Sequence, residues 1–198
     1  MIIPDIQNRK SELRREAAQK LKSLGNGQIS IQSGRIAGRL FQMEAYRRAG
    51  VIYAYASTAL EAGTDEILSD ALALGKQVFL PRVINDEEME FLRIRSMEDI
   101  REAGPFGIRE PAGTAEADLS RRAVPPVMPD LILVPGLLFD KKKRRLGRGR
   151  AYYDRFLKEY KGKCPLAALA LSCQITEQVP VREWDIPMDY IVTPDEVF

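Results

Sequence analysis

The sequence predicts an α/β fold with a mainly parallel sheet and helices on both of its faces. Three observations predict it. Leu131–Val134 and Leu166–Leu171 are apolar runs without polar alternation, the pattern of strands buried on both faces. Val51–Tyr55 and Gln77–Pro81, also strand-like, flank a segment of helical spacing, which makes a strand–helix–strand unit. Glycine and proline then mark the joints, as at Gly75 and Pro135-Gly136.

Taken in order, residues 5–24 read as a helix with the stripe Leu13, Ala17, Leu21 and Leu24, and with Asp5 as a cap. Lys10 and Arg14 lie one turn apart on the flank of that stripe. Gly25-Asn26-Gly27 is the stop, and a second helix is expected from Ser30 to about Arg48, before Gly50. Val51–Tyr55 is a strand. Thr64 is placed to cap a third helix, with Asp65 and Glu66 in its first turn and Ile67, Leu68, Ala71 and Leu72 inward. Gln77–Pro81 is the next strand, and Met89–Ile94 an edge strand. Residues 102–117, rich in Gly and Pro, read as irregular, and Val124–Pro129 as a stiff linker into Leu131–Val134. A helix over Ala151–Tyr160 and strands at Leu166–Leu171 and Tyr190–Thr193 complete the pattern.

Composition bounds the chemistry. With 198 residues, 45% apolar and 29% charged, the chain suits one sizeable globular domain, taken as residues 1–198. Cys164 and Cys173 lack metal-ligand spacing and read as reduced thiols in a cytoplasmic protein, with one disulfide as the alternative. No run reaches the ~18 apolar residues of a membrane span, and the first ten residues do not resemble a secretory signal. There is no histidine, which removes histidine general bases, Ser-His-Asp triads and histidine-held metals. The net charge of +2 says nothing about nucleic acid, but seven of the ten residues of Lys141–Arg150 are basic.

That basic run follows a buried strand and precedes a helix. Its first part, Lys141–Arg144, reads as a solvated face. Its second part interleaves Arg145, Arg148 and Arg150 with Gly147 and Gly149. Glycines let an anion approach backbone N–H groups at a helix start, and arginines add forked donors, so this part reads as a phosphate site. It is not a Walker A loop. Directly after it, Tyr152 and Tyr153 can stack on a flat heterocycle, and Asp154 can hold Mg²⁺ beside phosphate oxygens. Glu61 follows a strand across a short loop, where α/β sheets place ligand-binding groups. Met89 and Phe106 are candidate apolar walls, with core packing an equal alternative.

The segment VPGLLFD…RLGRGRAYYDR resembles the signature of the 5-formyltetrahydrofolate cyclo-ligases, also called methenyltetrahydrofolate synthetases. Further landmarks follow in order: Lys10 and Arg14; Tyr55, Ser57, Glu61 and Thr64; Leu80–Val83; Gly107–Pro111; Gln174; and Asp189–Val197. The resemblance covers nearly the whole chain and implies a Rossmann-like three-layer sandwich. It implies ATP binding by Lys10, Ser11, Arg14 and Arg145, Leu146, Gly147, Arg148, Gly149, Arg150, Ala151, Tyr152 and Tyr153. It implies contact with folate by Ala56, Glu61, Arg148, Gly149, Arg150, Ala151 and Tyr152. Catalysis would fall to Arg145, Arg148, Arg150 and Tyr152, and Mg²⁺ to Asp154 and Asp189, the latter having a turn-capping alternative.

The activity so implied is ATP-dependent closure of 5-formyltetrahydrofolate, with or without a polyglutamate tail, to 5,10-methenyltetrahydrofolate. The formyl oxygen takes the γ-phosphate, N10 attacks the activated carbon, and phosphate leaves. Such chemistry needs positioning and charge neutralisation more than side-chain acids or bases, so the lack of histidine is no obstacle. A monomer without nucleic-acid or membrane partners is expected. Five positions depart from the pattern the resemblance implies: Lys143 and Ala151 stand where glycine is common, Trp184 where histidine is common, and Ala62-Gly63 replace a bulkier pair. Ala151, Lys143 and the altered Glu61 loop keep a non-catalytic folate- or nucleotide-binding relative as the second reading, and the basic run Lys141–Arg150 keeps nucleic-acid binding as the third.

Overall fold

The structure, a computed structural model, describes residues 6–85, 88–102, 109–112 and 127–198. Helix α1 (Ile6–Leu24) buries Leu13, Ala17 and Leu21 as expected; Asp5 lies outside the described residues. A single residue ends it. Gly25 has φ 76°, a conformation that costs a glycine little, and α2 (Asn26–Gln42) begins at once. The expected three-residue break and start at Ser30 are corrected: Asn26 and Gly27 are helical, because the Ile29 N–H already donates to the Gly25 carbonyl at 3.1 Å. The helix also stops short of Arg48. Met43 is extended, and a separate α3 (Glu44–Arg48) turns Tyr46 into the core, where its hydroxyl donates to Asp70 at 2.6 Å.

Strand β1 (Val51–Tyr53) is shorter than the expected Val51–Tyr55, since Ala56 bends away to bridge Arg109. Helix α4 (Asp65–Ala73) buries Ile67, Leu68 and Ala71, while Leu72 packs at the core's edge. Thr64 precedes it but does not cap it. Instead its hydroxyl accepts from the Ser57 N–H at 2.9 Å, and the Ser57 hydroxyl accepts from the Thr64 N–H at 3.1 Å. That reciprocal pair staples the two ends of the loop carrying Glu61. Strand β2 (Gln77–Val83) outruns its expected end because β3 (Met89–Ile94) pairs antiparallel with it from Val78 to Val83, Val83 opposite Met89.

β4 (Ile100–Glu102) and β5 (Arg109–Pro111) form a small antiparallel pair. The expectation of irregular structure over residues 102–117 is therefore wrong at Glu102 and at Arg109–Pro111, and residues 103–108 and 113–117 lie outside the described residues. Phe106 and Val124–Pro126 lie outside the described residues. After β6 (Leu131–Val134) come β7 (Leu138–Asp140), β8 (Arg145–Leu146), α5 (Tyr152–Leu157), β9 (Leu166–Leu169), β10 (Ile175–Thr176) and β11 (Tyr190–Val192). Helix α5 covers only part of the expected Ala151–Tyr160, because Ala151 is left-handed at φ 58° and the chain leaves the helix after Leu157.

The main sheet has the order β11-β9-β6-β1-β2-β3, parallel except for β3 at its edge. One face, with Ile52, Val78, Leu131, Leu133 and Leu169, packs on α1, α2 and α4. The other, with Tyr53, Phe79, Ile132, Val134 and Ile191, packs on Phe156, Leu157 and Tyr160. This is the expected three-layer α/β arrangement. Each fully buried Leu or Ile contributes about 1.5–3 kcal/mol, so the two faces anchor the sheet firmly beneath its loops. A second sheet, β10-β7-β8, stands beside it. Among the described residues, no helix is long and apolar enough to cross a membrane, and Cys164 and Cys173 are free thiols.

Candidate active site

The carboxyl ends of β1, β2 and β6 open into a cavity of about 480 Å³, where ligands bind in open α/β sheets. The chain folds back there for a local reason. Asp140, fully buried at the end of β7, accepts from the N–H groups of Lys142 (2.9 Å), Arg144 (3.1 Å) and Val179 (2.8 Å) and from Arg144 Nε (2.6 Å). This ties the hairpin turn and sends β8 back toward the cavity. The basic run is thereby divided. Lys143 points to the Asp189 carbonyl (2.8 Å) and Arg144 to Asp140, away from the cavity, whereas Arg145, Leu146, Gly147, Arg148, Gly149, Arg150 and Ala151 all line it.

Arg145 is the buried member of the run, its side chain 4% exposed. It pairs with Asp154, and Nη1 donates to the Pro135 carbonyl at 3.2 Å. Its Nε and the Tyr153 hydroxyl are buried without a hydrogen-bond partner among the described residues, on two side chains that line the cavity. An unsatisfied buried donor costs about 1–3 kcal/mol, so two of them on one cavity wall mark a place for a polar ligand. Burial pushes the Tyr153 hydroxyl above the ordinary tyrosine range, Glu61 adding to the shift and Arg145 opposing it. Tyr55, likewise buried on the cavity wall, is raised by burial first and by Glu61 second.

Helix α1 supplies the other cations. Lys10 Nζ donates to Asp185 Oδ2 at 2.5 Å, and Arg14 Nε donates to the Gly147 carbonyl at 2.9 Å. Burial lowers the Arg14 pKa, while the charges of Asp154 and Asp185 pull it back up. Gly149, at φ 107°, lies against that guanidinium; a Cβ there would stand 3.3 Å from Arg14 Cζ. Ser11 is not part of the wall: it is exposed and donates to the Gln7 carbonyl. Helix α5 is only six residues long, too short for an appreciable macrodipole. The positive charge on the cavity wall thus comes from arginine and lysine side chains, and the helix start that the sequence suggested belongs to this six-residue helix.

Opposite this cluster sits Glu61. Its Oε2 accepts from Thr58 N (2.8 Å) and Thr58 Oγ1 (3.0 Å), and its Oε1 from Arg148 Nη2 (2.9 Å). Tyr55, Ala56, Pro81, Val83 and Met89 wall this end, with Glu110 among them. Glu110 accepts from Val83 N at 3.2 Å, and burial raises its pKa against the pull of that N–H and of Arg82. Tyr152 spans the mouth: its hydroxyl donates to the Asn85 carbonyl at 2.9 Å, and its ring lies under Arg155.

Asp189 is not brought to the cavity. Its Oδ2 accepts from Leu166 N at 2.8 Å, at the amino ends of β9 and β11 and so at the opposite edge of the sheet. Asp185, and not Asp189, lines the cavity with Asp154. The two aspartates stand four residues apart before one apolar strand; only the topology tells them apart. Glu110, Thr58 and Arg109 were also missed as cavity residues, although Glu110 lies within the Gly107–Pro111 motif.

Residues 6–194 match the model of the 5-formyltetrahydrofolate cyclo-ligase family. A mouse 5-formyltetrahydrofolate cyclo-ligase is 32% identical over 96% of this chain and 96% of its own. The solution structure of the 5,10-methenyltetrahydrofolate synthetase of Aquifex aeolicus superimposes with a TM-score of 0.78 at 30% identity, covering 95% of this chain and 91% of that one. The Mycoplasma pneumoniae synthetase shares the fold at TM-score 0.69 and 22% identity, over 94% of this chain and 99% of that one.

Proposed function

Since this chain belongs to the 5-formyltetrahydrofolate cyclo-ligase family, we propose that it closes 5-formyltetrahydrofolate to 5,10-methenyltetrahydrofolate with ATP, through a phosphorylated formyl group. Family membership favours the enzyme over a binding-only relative. One observation carries the detailed reading: a single cavity joins the arginine–glycine loop to the Glu61 loop, with Arg148 bonded across it to Glu61. Two ligands meeting there would have their reacting ends side by side.

Orphaned Arg145 Nε and the close backbone at Gly147 and Gly149 suit the triphosphate. Arg145, Arg148 and Arg150, with Lys10 and Arg14, would hold its charge, which in phosphoryl transfer is most of catalysis. Asp154 and Asp185 suit Mg²⁺, since each keeps one carboxylate oxygen without a protein partner among the described residues: Oδ2 of Asp154 and Oδ1 of Asp185. Mg²⁺ commonly takes one or two carboxylates plus phosphate oxygens; bound there, it would neutralise phosphate charge. Glu61, Tyr152 and the apolar wall of Tyr55, Ala56 and Met89 would orient the pteridine. The formyl oxygen bonds to the γ-phosphorus as the bond to ADP breaks. N10 then bonds to the formyl carbon and loses its proton, and the C–O bond to phosphate breaks.

The test is direct. Purified protein with 5-formyltetrahydrofolate, ATP and Mg²⁺ should show the near-ultraviolet absorbance of methenyltetrahydrofolate growing only when all three are present. Folded protein that yields no such product beside an active relative would refute the reading.

A further inference from the structure

Trp184 is the sole tryptophan of the chain, and it is 52% exposed. It contributes nothing to the core, yet it lines the cavity. Its place in that cavity is specific. Asp185 follows it and accepts from Lys10, and Arg182 lies over its ring, the guanidinium carbon 5.2 Å from the centroid. Arg182 is itself held, its N–H donating to Asp185 Oδ2 at 2.8 Å and its Nη2 to Gln7 Oε1 at 3.2 Å. One face of the indole therefore carries a held cation that also lines the cavity, and the residue as a whole stays half exposed.

Trp184 adjoins Asp185 and, through it, Lys10 of α1 on the cavity wall, whereas Glu61 comes from the loop after β1 and Met89 from the start of β3. A nucleotide with its phosphates on the arginine loop and Lys10 would run its base outward along the part of the wall that carries Trp184. Heterocyclic bases stack on aromatic faces, and a cation on an indole adds to its hold on the ring. Resting on the proposed function, we propose that Trp184 is the platform on which the adenine of ATP stacks.

The lone tryptophan is its own probe. In the intact protein, Mg²⁺-ATP should quench and shift the Trp184 fluorescence excited at its red edge, while Mg²⁺-tripolyphosphate, which lacks a base, should not. Trp184→Ala should raise the KM for ATP by roughly ten- to a hundredfold, the usual size of one lost base stack. It should leave the KM for 5-formyltetrahydrofolate and the inhibition constant of tripolyphosphate within about twofold, and Trp184→Phe should recover most of the loss. Thermal melting of each variant checks that it is folded. An unchanged ATP KM, a rise confined to the folate KM, or an equal loss of tripolyphosphate binding would each overturn the platform. Wild-type protein that is quenched by ATP but makes no methenyltetrahydrofolate would keep the platform and sink the cyclo-ligase reading; turnover without base-dependent quenching would do the reverse.

Discussion

Arg148 Nη2 donates to Glu61 Oε1 at 2.9 Å, joining the loop after β8 to the loop after β1 across the cavity. The guanidinium is 58% exposed while Glu61 is buried, so the pair is a bridge between two loops rather than a piece of core. Replacing Arg148 by alanine should lower kcat/KM for both substrates by about tenfold or more, since the forked donor serves both sides. Unfolding free energy should change by less than about 1 kcal/mol, because a half-exposed pair is screened by water. A loss confined to one substrate, seen in paired kinetic titrations, would dismiss the bridging role.

Ala151 and Lys143 are the non-glycine residues with positive φ among those described, at 58° and 63°. Left-handed backbone costs a residue with a Cβ roughly 1 kcal/mol. Ala151→Gly relieves it at the expense of a looser unfolded chain, so urea unfolding should show a gain between zero and about 1 kcal/mol. Lys143→Gly should gain nothing, because it also deletes the bond from Nζ to the Asp189 carbonyl and the contact over the Tyr190 ring. A clear destabilisation by Ala151→Gly would show that the methyl group, not the strain, matters there.

The carboxylates separate by edge of the sheet. Asp154→Asn and Asp185→Asn should each raise the Mg²⁺ concentration needed for half-maximal turnover by tenfold or so. Asp189→Ala should leave that requirement alone and cost about 1–2 kcal/mol of stability, because it strips the acceptor from the Leu166 N–H. Mg²⁺ titrations that respond to Asp189 and ignore Asp185 would reverse the assignment.

Alkaline pH should unfold the protein early. Burial pushes the Cys164 thiol from 9.0 to about 11, with Asp189 and Asp130 adding to the shift. Between those values the unfolded chain has released the proton and the folded chain has kept it, so stability present below pH 9 is lost as pH rises toward 11. The loss is of the order of 2–3 kcal/mol, and buried Tyr55 and Tyr153, also raised, push the same way at higher pH. Urea midpoints at pH 7, 9 and 10.5 should fall less steeply for Cys164→Ala than for the wild type; parallel slopes would exclude the thiol.

The main sheet was legible because its strands are short apolar runs whose buried pattern needs no knowledge of partners, as at Leu131–Val134. The second sheet was not. Strands β8 and β10 are two residues each, too short for any period to register, and they exist because Asp140 ties the turn between β7 and β8. The arginine–glycine loop was legible as chemistry, since its residue types converge within one segment. Asp185 and Glu110 were not, because their neighbours come from Lys10 and from Val83, far along the chain. Thr64 shows the same limit: its type and position suit a helix cap, but a nearer donor at Ser57 takes the hydroxyl.

Those long separations also set a clock. Arg14 finds its carbonyl 133 residues later and Lys10 its carboxylate 175 residues later. At roughly 5–20 residues per second of synthesis, α1 waits on the order of ten to thirty seconds for them. Through that interval the nascent chain has hydrophobic surface to collapse, while Lys10 and Arg14 lack the partners that hold them at the cavity. The part of the cavity wall that α1 contributes is therefore fixed only once Gly147 and Asp185 have been made, after the sheet has its central strands.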